Sequence, residues 1–139
     1  MHTLLVYGAS ARADAALREA ARATRAAGGR LTVLTLAARE PAARRCCDTR
    51  SVFWNEVCDG LAHEDLARAS LALDGEPHTR LEVLPHAVRR AVETLVREAL
   101  ARDADEIVVA DPRASGLGPL ERRRLRRKSP MPVSEGPAR

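Results

Sequence analysis

The sequence predicts an α/β domain: a single doubly wound parallel sheet of four to five strands with helices on both faces. Three observations carry that prediction. Short apolar runs alternate with longer helical stretches along the chain, the pattern of β-α-β units and a parallel sheet. The first run, TLLVY, is apolar without polar alternation, as in a strand buried on both faces. Aromatic residues make up only 2%, so the core is built from Ala, Val and Leu, whose small faces let helices lie close to a sheet. The length of 139 residues suits one hydrophobic core. We expect one domain over 1–133 and a frayed C-terminal tail over 134–139.

The elements follow in order. Thr3 to Tyr7 is the first strand and ends at Gly8. Residues 11 to 27 form a helix with Leu17, Ala20, Ala21 and Thr24 on one face, Ser10 as N-cap and Gly28-Gly29 as its stop. Leu31 to Leu36 is a second, β-branched strand. From about Arg50 a longer helix runs to Asp74-Gly75, with Phe53 or Trp54, Val57, Cys58, Leu61 and Leu66 expected on its buried side. Arg80 to Leu84 alternates and reads as an edge strand. Pro85 is expected to open a helix carrying Val88, Ala91, Val92, Leu95, Val96, Ala99 and Leu100 at i, i+3, i+4 steps. Glu106 to Ala110 is the fourth strand, and Leu120 to Lys128 a short helix. Met131 to Val133 is a remnant fifth strand, restricted to an edge by Pro130 and Pro132. In such sheets ligands bind beyond the C-terminal strand ends, where the winding reverses. The loops after strands one and four, Gly8-Ala9-Ser10 and Asp111 to Gly118, are therefore the candidate site.

At this point the chain resembles the universal stress protein family. The likeness covers most of the length. It rests on the opening strand with GAS, the helix ending GGRLTVLTLA, the block ADEIVVADPRASGLGPL and the closing RLRRKSPMPV. The resemblance implies a doubly wound layer with strands one and four central, and roles in stress survival rather than a defined reaction. It also implies ATP binding in many members and dimers formed through the last strand. ATP-binding members carry an acidic residue at the end of strand one and a Gly-x-x-Gly turn after strand four. A Gly-Ser or Gly-Thr follows, which holds phosphate in an anion nest. Here those positions are Tyr7, Asp111 and Ala114, and the Gly-Ser/Thr segment is missing, so the last helix and strand are expected to be truncated. Ala114 adds a Cβ, and Asp111 adds a negative charge. The expected function is a small cytoplasmic stress-associated regulatory protein, acting by binding, with weak or no ATP binding and no cofactor. The alternative is an ATP or adenine-nucleotide sensor using Gly8, Ala9, Ser10, Asp111, Arg113, Ser115, Gly116 and Gly118. In that reading Arg113 is the countercharge.

Other features bound the function. The net charge of +4 is concentrated in the C-terminal run Arg122, Arg123, Arg124, Arg126, Arg127 and Lys128. This run is a solvated helix end favoured by the dipole, a contact for an acidic partner or a second copy, or a phosphate contact. No DNA-binding motif or aromatic platform accompanies it, which argues against nucleic acid. Cys46 and Cys47, flanked by Arg44, Arg45 and Arg50, read as incidental thiols or as redox sensors. A zinc site with Cys58 and His63 lacks the usual Cys-x-x-Cys pair. Three cysteines are an odd number and fit no disulfide framework. No run approaches the roughly 20 apolar residues of a membrane span, and MHTLLVYGAS has no signal-like h-region. A cytoplasmic protein follows. Phe53 and Trp54 anchor the second helix or form an exposed patch. His2, His63, His78 and His86 are scattered, and no acid–base pair or nucleophile setting emerges. These readings exclude a nominated catalytic or metal site and point away from an enzyme. A protein partner or homodimer is expected.

Overall fold

The protein, a computed structural model, is described at residues 1–40 and 49–136. Its elements alternate from end to end: β1 (His2–Val6), α1 (Ala11–Ala26), β2 (Arg30–Arg39), α2 (Thr49–Leu73), β3 (Thr79–Ala87), α3 (Ala91–Ala101), β4 (Glu106–Val109), α4 (Pro119–Lys128) and β5 (Val133–Glu135). The strands form one parallel sheet in the order β3-β2-β1-β4-β5. The order reverses between β2 and β4 around the central β1. That reversal leaves a crevice beyond the C-terminal ends of β1 and β4.

Each face of the sheet has its own core. Leu5, Tyr7, Leu31 and Val33 face α1 and α2, where Ala13, Ala16, Leu17, Ala69 and Leu73 pack against them. Leu4, Val6, Leu34 and Ile107 face the other way, against Val92, Leu95 and Ala99 of α3 and Leu125 of α4. Adjacent residues of β1 therefore serve opposite layers, which is why its sequence shows no alternation. Each fully buried Leu or Val contributes about 1.5–3 kcal/mol. Ser10 caps α1, its hydroxyl oxygen accepting the Ala13 N–H at 2.9 Å.

Four expectations are corrected. First, β3 does not end at Leu84. It continues through Pro85, His86 and Ala87, paired with Ala37, Ala38 and Arg39 of a β2 that also outruns Leu36. Pro85 is tolerated because β3 is the sheet edge. Helix α3 starts only at Ala91, and Val88 is exposed, its N–H donating to Arg39 C=O at 3.2 Å.

Second, α2 does not bury the stripe assigned to it. Phe53 is 69% exposed, Trp54 49% and Leu61 57%, and Val57 is also exposed. Its contact face is Ala62, Ala69 and Leu73, with Cys58 and Leu66 half-buried. Small residues let this helix sit close to β2, where Thr35 Oγ1 donates to the Ala62 carbonyl at 3.1 Å.

Third, β5 is Val133–Glu135 rather than Met131–Val133. Ser134 to Gly136 belong to the sheet rather than to a frayed tail, since the Gly136 N–H donates to Val109 C=O at 2.7 Å. Residues 137–139 lie outside the described residues. Fourth, the basic run is not only solvated. Arg122 and Arg124 are half-buried. Arg124 and Lys128 pair with Glu93 of α3, and Arg122 and Arg126 pair with Glu135 of β5. Among the described residues no helix is long and apolar enough to cross a membrane, and no group of three or more His, Cys, Asp or Glu could hold a metal ion.

Candidate functional site

The parallel register brings the ends of β1 and β4 together, with Val6 opposite Val109. The loops that follow them, residues 8–10 and 111–118, meet at that point. Gly8 is the hinge of the meeting. A Cβ built on it would lie 1.6 Å from the Ala114 carbonyl oxygen, so only glycine allows the two backbones to touch. Gly116, at φ 83°, makes the left-handed turn that carries the loop toward α4.

Many polar groups of the 111–118 loop are bonded within the protein. Asp111 is 7% exposed. Its Oδ2 accepts the Ser10 hydroxyl at 2.7 Å, and its Oδ1 accepts the Arg113 N–H at 3.0 Å. The Ser10 hydrogen bond, followed by that of the Arg113 N–H, holds the Asp111 carboxyl below its ordinary range, outweighing burial. Ser115 Oγ donates to Pro112 C=O at 3.2 Å and accepts the Leu117 N–H at 3.2 Å. The Gly118 N–H goes to Glu121 Oε1 at 3.2 Å, as Pro119 opens α4. The Arg122 guanidinium donates to Pro112 and Leu117 carbonyls at 2.8 and 2.9 Å. Arg113 itself is exposed. An anion nest needs unspent donors. Here the Ser10 hydroxyl and the Arg113 N–H are taken by an internal carboxylate.

Across from this loop lies a cleft of about 230 Å³. Leu36 and Ala38 of β2 and Leu61 and Ala62 of α2 give it apolar walls. Tyr7, Gly8, Ser115 and Gly116 form its β1–β4 side. Cys58, Asp65 and His86 add polar groups. The Cys58 thiol is pushed up by burial and by the charge of Glu40, so it is held protonated rather than activated. Cys46 and Cys47, the redox candidates, lie outside the described residues.

Tyr7 follows directly on β1 and lines the cleft. It is buried, and its hydroxyl donates to Asp14 Oδ1 at 2.5 Å. Burial and then that hydrogen bond push its pKa up. Asp14 is in turn bound by the Arg68 guanidinium at 2.8 Å, which locks α1 to α2. A carboxylate does reach this loop, from a residue that the sequence did not mark. Asp65, on α2, lies against the same loop and accepts the Ala9 N–H at 3.3 Å. Its spacing from Arg68 and Ala69 looks like ordinary helix-surface charge, so nothing in the sequence singles it out.

No protein-family model and no curated protein matches the sequence. The fold does have solved counterparts. A universal stress protein family member from Burkholderia pseudomallei superposes with a TM-score of 0.71 at 19% identity, covering 98% of this chain and 96% of that one. The universal stress protein from Archaeoglobus fulgidus in complex with dAMP gives 0.66 at 23% identity, covering 98% and 96%. A universal stress protein in complex with cAMP gives 0.64 at 19% identity, covering 99% and 98%. The likeness spans nearly the whole of each chain, and at this identity it is one of architecture: the chain has the universal stress protein fold.

Proposed function

We propose that this is a small regulatory protein of the stress-associated kind, acting by binding rather than catalysis, that does not hold ATP tightly. The observation that carries this reading is the Asp111 carboxylate seated on Ser10 Oγ–H and Arg113 N–H. A triphosphate entering there would meet a fixed negative charge and would find both donors taken. Coulomb repulsion between like charges a few ångströms apart costs several kcal/mol at the effective dielectric of a protein surface. The protein works in a reducing, cytoplasmic setting, which suits the free thiol of Cys58. It passes its state to a protein partner or a second copy. The half-buried arginines of α4 support this over nucleic acid, because Arg122 and Arg124 are turned onto Glu135 and Glu93.

Thermal melts with ATP test the reading. A site-specific ligand at 100 times its Kd adds about 2.7 kcal/mol of stability, which is about 10 °C in Tm for a domain of this size. The expected shift with millimolar ATP is within about 2 °C, on the same conversion. A shift near the larger figure defeats the proposal.

A second reading has its own observation. The apolar-walled cleft sits at the sheet's winding reversal, where ligands bind in open α/β sheets, and two proteins of this fold are in complex with dAMP and cAMP. In this reading the cleft takes an adenine-type ligand by its ring, and the protein senses it.

A further inference from the structure

Asp65 is the one carboxylate of the cleft that has not been committed. Its Oδ2 accepts a single long hydrogen bond from the Ala9 N–H at 3.3 Å, and its Oδ1 has no partner among the described residues. Arg68, one turn further along α2, is held by Asp14. Among the described residues lining the cleft there is no lysine or arginine. Asp65 therefore supplies the cleft's carboxylate charge, and the basic side chain on its described lining is the imidazole of His86. A carboxylate accepts hydrogen bonds and donates none, so what it demands of a ligand is hydroxyl or amino hydrogens.

From these facts we infer that the cleft selects an uncharged nucleoside over any nucleotide, and that Asp65 is the residue that grips it. The inference rests on the adenine-type reading above. A nucleoside presents the groups this cleft can use: a flat ring for Leu36, Ala38, Leu61 and Ala62, and sugar hydroxyls or a ring amino group for Asp65. It lacks the group the cleft opposes. A phosphate in the cleft would meet the Asp65 carboxylate, with the Ser10, Arg113, Leu117 and Gly118 donors already bonded within the protein. Size agrees with charge. The cleft holds about 230 Å³, below the roughly 300–1,000 Å³ usual for drug-sized ligands. Asp65 thus takes over, from a helix on the opposite flank, the acidic position that β1 fills with Tyr7.

Calorimetric titration of the whole protein with adenosine, AMP and ATP, in the wild type and in Asp65→Asn, decides the matter. The expected order of affinity is adenosine above AMP by about tenfold or more, with ATP weakest, the gap reflecting uncompensated like charge. Asp65→Asn should weaken adenosine by about tenfold, the loss of a charged acceptor, and should narrow the gap between adenosine and AMP. Equal binding of adenosine and AMP by the wild type overturns the inference and leaves the adenine reading standing. Binding of none of the three overturns both. Unchanged adenosine affinity in Asp65→Asn removes the role of Asp65. If that variant does not fold, the wild type still answers. Adenosine must then shift the amide NMR signals of Ala9, Asp65 and Gly116, and their constancy under saturating adenosine overturns the assignment.

Discussion

Asp65 lines the cleft, Asp111 anchors the loop whose Ala114, Ser115 and Gly116 form its other wall, and the circumstances of the two carboxylates are opposite. Asp111 is buried, accepts hydrogen bonds on both oxygens and belongs to a loop whose polar groups bond one another. Asp65 is half-exposed, rests on one long hydrogen bond and projects from a helix whose neighbouring turns expose Val57 and Leu61. The β4 flank is fixed by its own interior. The α2 flank leaves its groups available to something else. On the proposed reading, stability and recognition are assigned to different sides of the same opening, so substitutions on the two sides should separate the two properties.

The largest expected effect lies on the closed flank. Gly8→Ala drives a methyl into the Ala114 carbonyl and should cost about 3 kcal/mol or more, read as loss of folded protein or a collapse of the urea midpoint. Near-normal stability would show that the two loops do not touch as described. Next comes Asp111→Ala. It strands the Ser10 hydroxyl and the Arg113 N–H, at a cost of about 1–3 kcal/mol. It should also open the nest, so inorganic phosphate or ATP should stabilise the variant in thermal melts and leave the wild type unmoved.

Acid sharpens the same comparison. Asp111, Asp14 and Glu82 all titrate below their ordinary values. For Asp111 the Ser10 hydrogen bond is the main cause, and for Glu82 it is the Arg102 pair. For Asp14 burial works upward and is outweighed by Arg68 and Tyr7. A depressed folded pKa means stability that is fully present above the unfolded value and is lost as pH falls through the folded one. The ordinary values are 3.8 for Asp and 4.5 for Glu, so the loss begins below that range. Asp111→Asn should flatten the acid limb of a stability–pH curve. The smallest effect is expected on α2: Phe53→Ala should change the unfolding free energy by no more than about 0.5 kcal/mol, measured by chemical denaturation. A loss above about 2 kcal/mol would mean that Phe53 is buried in solution.

Much of this architecture was legible because the strands are short and apolar and the stops between elements are strong. Ser10 and Gly28-Gly29 bracket α1 as their chemistry requires, and the strand–loop–helix order from Glu106 to Lys128 holds. Two kinds of residue misled. Pro85 sits in a strand because an edge position forgives its missing N–H. The large side chains of α2 sit outside because alanines make the tighter contact with β2. In both cases tertiary position overrode a local rule. At the candidate site, the crossing of the loops after β1 and β4 follows from the element order alone. The hydrogen bonds that consume Asp111 are not visible in the sequence, because Ser10 is 101 residues away. Asp65 is hidden for the same reason: its partner Ala9 is 56 residues distant.

Trp54 is the chain's single tryptophan. It is half-exposed and lies one helical turn before Cys58, on the side of α2 that leads down to Leu61 and Asp65. The protein thus carries a built-in optical reporter on the helix that supplies one wall of the cleft. Its emission wavelength and quenching will register whatever settles beside it, with no label attached and no other indole to obscure the signal.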